Sequence, residues 1–165
     1  MHVRVARKAD LAHLPAIERS AAAAFEGHDV PAWLLTDAAP ADNWRPHLDA
    51  GTLWVAEDDG QAVGYLAGRV ERPRLHIDEV DVLRAFQGRG IGRGLLTTAA
   101  DWARAKGLRA LSLTTFRNVP WNAPFYAAFG FREWDPAEAP PSIQASLAYE
   151  AAKGLKNRCA MIMDL

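Results

Sequence analysis

Three groups of residues in this chain have the types and spacing to do chemistry. The run Gln87-Gly88-Arg89-Gly90-Ile91-Gly92-Arg93-Gly94 sets four glycines at alternate positions with two arginines among them. Glycine lets a backbone turn tightly and aim successive N–H groups at one concavity. A helix starting there adds unpaired N-terminal donors and the positive end of its dipole, which suits a phosphate or pyrophosphate. The second group is His76, Asp78, Glu79 and Asp81, set among Leu75, Ile77, Val80, Val82 and Leu83. Three carboxylates in four residues are costly inside a sheet, so at least one should line a cleft that solvent reaches. Partial burial and like-charge neighbours raise a carboxyl pKa, which suits a general base. The third is Tyr126, in a segment crowded with Phe116, Trp121, Phe125, Phe129 and Phe131. A phenol is protonated at neutral pH and can give up a proton, although in such company packing is the simpler role.

The elements that must hold these groups follow from periodicity. Alternation at Val3 and Val5 reads as a short strand, and Asp10 as the N-cap of a helix running through Leu11, Leu14 and Ile17 to near Gly27. Residues 28–51 carry Pro31, Pro40 and Pro46 among apolar residues and read as short helical pieces. Strands Thr52–Glu57 and Gln61–Val70 flank Asp58-Asp59-Gly60, a hairpin signal. A third strand, Leu75–Leu83, leads through the glycine turn into a helix from about Gly90 to Lys106. A strand at Ala110–Thr115, a short helix at Pro124–Phe129, an extended piece at Phe131–Trp134, a helix at Ser142–Lys153 and a closing strand at Arg158–Leu165 follow. The pattern is mixed α/β with an antiparallel front half, in a single domain over residues 1–165. The closing strand is expected at a sheet edge, where it would allow a homodimer.

Composition narrows the function. A net charge of −1 is not that of a nucleic-acid binder. No apolar run is long enough to span a membrane, and the N-terminus lacks a secretory h-region. The lone Cys159 makes no intramolecular disulfide, so a cytoplasmic location is expected, with Cys159 a small core residue. The five histidines form no H-x-x-x-H or H-E-x-x-H pattern, so no metal site is expected. The glycine run fits neither the dinucleotide fingerprint nor the P-loop, and no G-x-S-x-G elbow occurs.

Gln87, Gly90 and Gly92 do match a Q/R-x-x-G-x-G/A loop. The strand ending Glu79-Val80-Asp81-Val82 precedes it, and Tyr126, Gly130 and Phe131 form a Y-x-x-x-G-F segment downstream. This combination resembles the GNAT superfamily of N-acetyltransferases. The resemblance implies a single-domain acyl-CoA N-acyltransferase fold, a central mixed twisted sheet flanked by helices, with acetyl-CoA as co-substrate and no metal. It implies that Gln87, Gly88, Arg89, Gly90, Ile91, Gly92 and Arg93 cradle the pyrophosphate. It also implies that the strand through Val80 and Val82 pairs with the pantetheine arm, a backbone N–H near Val82 facing the thioester carbonyl. Tyr126 matches the tyrosine that protonates the departing thiolate, and Glu79 an acidic position suited to the base. His76, Asp78 or a chain of ordered waters are alternatives for that role. The asparagine that many members carry seven residues before the tyrosine is Val119 here, leaving Asn118 or Asn122 for the pantetheine contact. The acceptor is expected to be a primary amine of a small molecule or peptide, met by residues 25–50 and the loop after Trp134. Trp33, Trp44, His47, Trp121 and Trp134 are candidates for its walls. A non-catalytic acyl-CoA binding or sensing module would use the same turn and is the alternative.

Overall fold

Alternating strand patterns in the front half pair as antiparallel neighbours: β1 (His2–Val5), β2 (Leu53–Asp58), β3 (Gln61–Glu71) and β4 (Arg74–Val82). The computed structural model describes residues 1–165. Asp59 and Gly60 both take positive φ, 48° and 76°, so the β2–β3 hairpin closes with the left-handed pair that a two-residue turn needs. Three further strands complete one seven-stranded sheet in the order β1-β2-β3-β4-β5-β7-β6: β5 (Ala110–Phe116), β6 (Arg132–Trp134) and β7 (Arg158–Asp164). The expected mixed α/β architecture is the observed one.

Helices cover both faces. On one lies α4 (Ile91–Ala105), whose Leu95, Leu96, Ala99 and Ala103 are fully buried against Trp54, Leu66 and Leu111. The short helix α5 (Ala123–Phe129) starts after the β5 turn and returns the chain to β6. On the other face α1 (Leu14–Ala22) sets Leu14 and Ile17 into a second core with Val55, Tyr65 and Trp44. The short helices α2 (Ala32–Thr36) and α3 (Arg45–Ala50) follow on, and α6 (Pro141–Ala152) packs Ile143 beneath β7. Cys159 is buried in the first core, as expected of it.

Two expectations are corrected. Asp10 caps no long helix: it sits inside a 3-10 turn at Lys8–His13, accepts the Arg7 N–H at 2.6 Å and pairs with Arg4. Buried itself and paired with the half-buried Arg4 guanidinium, Asp10 ties β1 to the turn. The closing strand is not an edge either. It inserts antiparallel between β5 and β6, so the edges are β1 and β6 and the edge argument for a dimer falls.

The feature that makes a site is a parting in the sheet. β4 and β5 are parallel neighbours only at Arg74↔Ala110, Leu75↔Leu111 and His76↔Ser112. Beyond that point β4 stays with β3 and β5 stays with β7, and a V-shaped gap opens between them.

Candidate active site

A bulge in β4 shapes the gap. Ala67 pairs with Glu79 and Gly68 with Ile77, so Asp78 is the extra residue. Before the bulge Leu75 and Ile77 face α4, and after it Val80 and Val82 do. Glu79 and Asp81 are thereby turned to the α1 face, where Asp81 accepts the Tyr65 hydroxyl at 3.1 Å. Without the bulge they would point into the α4 core. Asp78 turns to α3 and Arg69. Burial opposes its charge, but His47 at 2.8 Å and Arg69 at 2.9 Å hold the carboxyl below the usual carboxylate range. Asp78 is therefore a paired structural anion, and His76 is buried on Ser112 at 2.9 Å with its pKa lowered by burial. Neither is placed to work as a free base.

Glu79 and Asp81 have no basic partner of that kind. Burial raises Glu79 well above the normal carboxyl range, helped by the charges of Asp81 and Glu18. Burial and the charge of Glu18 push Asp81 up to about 7, against the Tyr65 hydrogen bond. Glu18 on α1 is itself raised by burial, although it accepts the Ala39 N–H at 2.9 Å. Two close carboxyls of this kind titrate as a unit. The sequence singled out Glu79; the structure joins Asp81 to it and adds Glu18 and Tyr65, which no local pattern in α1 or β3 announces.

The opposite lip comes from β5 and α5. Tyr126 faces the gap with its ring edge-on to Phe125 and Phe131, at centroid distances of 5.2 and 5.7 Å. Burial, followed by the charges of Glu79 and Asp81, raises its pKa, so the phenol is firmly protonated. Asn122 lines the same wall, its Oδ1 accepting the Thr115 hydroxyl at 2.8 Å, whereas Asn118 is exposed in the turn. The open cleft has a volume of about 400 Å³ and runs from the α4/α5 face through the gap to the α1 face.

Backbone polarity inside the gap follows from alternation. The Leu83 N–H donates to Val63 on β3 at 2.9 Å, and the Val82 carbonyl accepts the Gln87 side-chain amide at 3.1 Å. Val82, and Val80 two residues earlier, therefore direct their N–H groups away from β3 into the gap. This is an unpaired strand edge inside the fold, open to an extended ligand.

The glycine turn lies at the mouth. Gly88 and Gly90 take φ of 77° and 82°, the left-handed region that disfavours a side chain, and Gly90 starts α4. No backbone N–H from Gly88 through Arg93 finds a backbone acceptor, and the Gly94 N–H bonds back to Gly90. Six donors are thus left without a backbone partner at the positive end of a four-turn helix. A Cβ on Gly92 would meet the Phe125 ring at 3.4 Å, so α5 packs close to the start of α4. Gln87, Ile91 and Gly92 line the cleft, whereas Gly88, Arg89, Gly90 and Arg93 form its exposed rim. Arg89 and Arg93 rest over Phe86 and Phe129 at 4.9 and 5.4 Å.

Of the aromatic candidates for the far wall, Trp33 and Trp121 line the cleft. Trp44 is buried in the α1-side core, His47 is held by Asp78, and Trp134 stacks under Arg74 at 5.6 Å. These three are packing and pairing residues.

Residues 15–131 match the family model described as the acetyltransferase (GNAT) family. The chain belongs to that family. An uncharacterized N-acetyltransferase of Methanocaldococcus jannaschii is 30% identical over 97 residues, covering 54% of this chain and 43% of that protein. The chain thus spans less than half the length of that relative. Among solved structures, the PaiA N-acetyltransferase of Thermoplasma acidophilum in complex with coenzyme A superposes with a TM-score of 0.76 at 15% identity, covering 99% and 98% of the two chains. The N-acetylglutamate synthase of Neisseria gonorrhoeae, complexed with coenzyme A and N-acetyl-glutamate, gives 0.72 at 20% identity, covering 99% of this chain and 34% of that one. The parted sheet and the glycine turn are therefore features of a GNAT fold.

Proposed function

We propose that this GNAT-family chain is an acetyl-CoA-dependent N-acetyltransferase that passes the acetyl group directly to a primary amine of a small molecule or peptide. The observation that carries the reading is the gap itself. Along this one cleft lie a turn with six unpaired N–H groups, an unpaired strand edge, a protonated phenol and a high-pKa acid pair. Acetyl-CoA, as co-substrate, supplies an activated acetyl thioester. The residues present fit it: the free N–H groups of Gly88 to Arg93 suit a pyrophosphate, and Val80, Val82 and Asn122 offer donors to an extended amide-bearing arm.

The chain's own residues then divide the work. Val82 N–H is a fixed donor aimed into the cleft, where it stabilises negative charge developing on a carbonyl oxygen. The Glu79/Asp81 pair takes the proton that an ammonium must lose before its nitrogen attacks, and a pKa near 7 suits that task at neutral pH. Tyr126 presents its proton from the opposite lip to the leaving sulfur. No covalent enzyme intermediate is needed, because holding both partners in one cleft supplies the proximity term. Cys159, buried in the core, takes no part.

The test is free-thiol release from acetyl-CoA by the purified protein across a panel of amines and peptides. Amine-dependent release is expected. Binding of acetyl-CoA with no release by any amine would leave only a CoA-binding module, and tight NAD or ATP binding without CoA binding would remove the reading altogether. Chain partners and a cytoplasmic setting belong to this proposal as well: one amine substrate, no nucleic acid and no membrane. No helix is long and apolar enough to cross a bilayer.

A further inference from the structure

The acceptor side of the cleft holds one cation that the reaction above does not use. Arg158 on β7 stands opposite Phe116 in register and lays its guanidinium over that ring at 4.6 Å. Its Nη2 donates to Glu150 Oε1 at 2.7 Å, and the same oxygen accepts the Thr114 hydroxyl at 2.6 Å. The side chain is only 17% exposed and is held in place from two directions. Its Nε–H and the Glu150 Oε2 are both buried without a partner, which leaves Nη1, with no hydrogen bond and outside that buried set, as the donor free to meet a ligand. An always-charged guanidinium, fixed in advance, lining a cleft and with its Nη1 unspent, suits a carboxylate.

Its surroundings limit what brings that carboxylate. Glu18, Glu79 and Asp81 lie across the gap and suit an ammonium, and the charge of Arg158 reaches both Glu79 and Tyr126. The segment after α1 bridges the cleft mouth above Arg158. Phe25 stacks on Phe116 and Trp121, both at 5.3 Å, and Trp33 Nε1 donates to the Lys153 carbonyl at 2.9 Å. The cleft of about 400 Å³ must also take the thioester end of the donor, and what is left beside this bridge suits a compact acceptor rather than a length of polypeptide.

From this geometry we infer that the acceptor is a free amino acid, its ammonium directed to the Glu79/Asp81 pair and its carboxylate received by Arg158. This rests on the transferase reading and narrows its substrate. The test compares L-amino acids with their carboxamides, with the corresponding decarboxylated amines and with short peptides of the same first residue, by thiol release. Free amino acids are expected to exceed each matched analogue at least tenfold in kcat/KM, through KM. In Arg158→Gln that preference is expected to shrink to about threefold or less, with Arg158→Lys in between. Calorimetric acetyl-CoA binding and the melting temperature report whether each variant is folded. Analogues turned over as well as the amino acids, or a preference that survives in Arg158→Gln, would overturn the inference and show Arg158 to be only the partner of Glu150. The wild-type comparison decides even where a variant does not fold. Acetyl-CoA bound but no amine acetylated is a different result, and it sinks the transferase reading itself.

Discussion

Asp81→Asn tests the acid pair through both stability and rate. The folded carboxyl titrates at about 7, raised from an ordinary 3.8 by burial and by Glu18. Between those values the folded protein binds more protons than the unfolded chain, so this group's contribution to stability is lost as pH rises through about 7. The asparagine still accepts the Tyr65 hydroxyl and keeps the shape, but it removes that pH dependence. A tenfold change in proton affinity is about 1.4 kcal/mol, so the full gap sets a ceiling of about 4 kcal/mol. Access of water to the cleft and sharing of the proton with Glu79 reduce this, and about 1–2 kcal/mol is expected between pH 5 and pH 8. For a chain of this size that is a shift of roughly 2–8 °C. Thermal melts of both proteins at the two pH values measure it: the variant should gain on the wild type at pH 8 and gain little or nothing at pH 5. The acid limb of the wild-type rate profile, with its midpoint near 7, should be flattened in the variant. An equal difference in melting temperature at both pH values would refute the reasoning, because it would mean that Asp81 titrates like an exposed carboxylate.

Further outcomes follow from the turn and the core. Gly90→Asp puts a charged side chain at a φ of 82° beside the six free N–H groups, and acetyl-CoA affinity by calorimetry should fall at least tenfold, about 1.4 kcal/mol, with the fold retained. Cys159 is buried, with its thiol pKa raised by that burial, so a thiol reagent should label it only on unfolding.

Local pattern carried much of this molecule. The glycine turn, the hairpin at Asp59-Gly60, the α4 stripe and the segment around Tyr126 are each specified by residues close in sequence, and each was legible. What escaped depends on contacts made by distant residues. β7 pairs with β5 and β6 through registers that no stretch of 158–164 encodes alone, so it read as an edge. The bulge at Asp78 is set by the β3 partner, and it decides which acids share a face. Alternation alone would set Asp78 on the face opposite Glu79, whereas the bulge leaves both on the side of α1 and α3. Asp81 became a partner of Glu79 through Tyr65 and Glu18, on elements 16 and 63 residues away. Trp44 and His47 read as pocket walls because aromatic residues in an irregular segment look alike whether they face a cleft or a core; only the fold of 41–50 against β3 distinguishes them.

In the proposed reaction Tyr126 is the proton donor to the leaving thiolate, and Tyr126→Phe addresses that role at one atom. The substitution keeps the ring against Phe125 and Phe131 and removes only a hydroxyl that makes no hydrogen bond within the protein. Thiol release is followed in a single turnover at saturating acetyl-CoA with an amine that the wild type acetylates. The rate should fall by a factor on the order of 10² while acetyl-CoA affinity holds, since the lost interaction belongs to the transition state. Full turnover by the phenylalanine variant, with chemistry limiting, would contradict the account and return Tyr126 to the packing of α5.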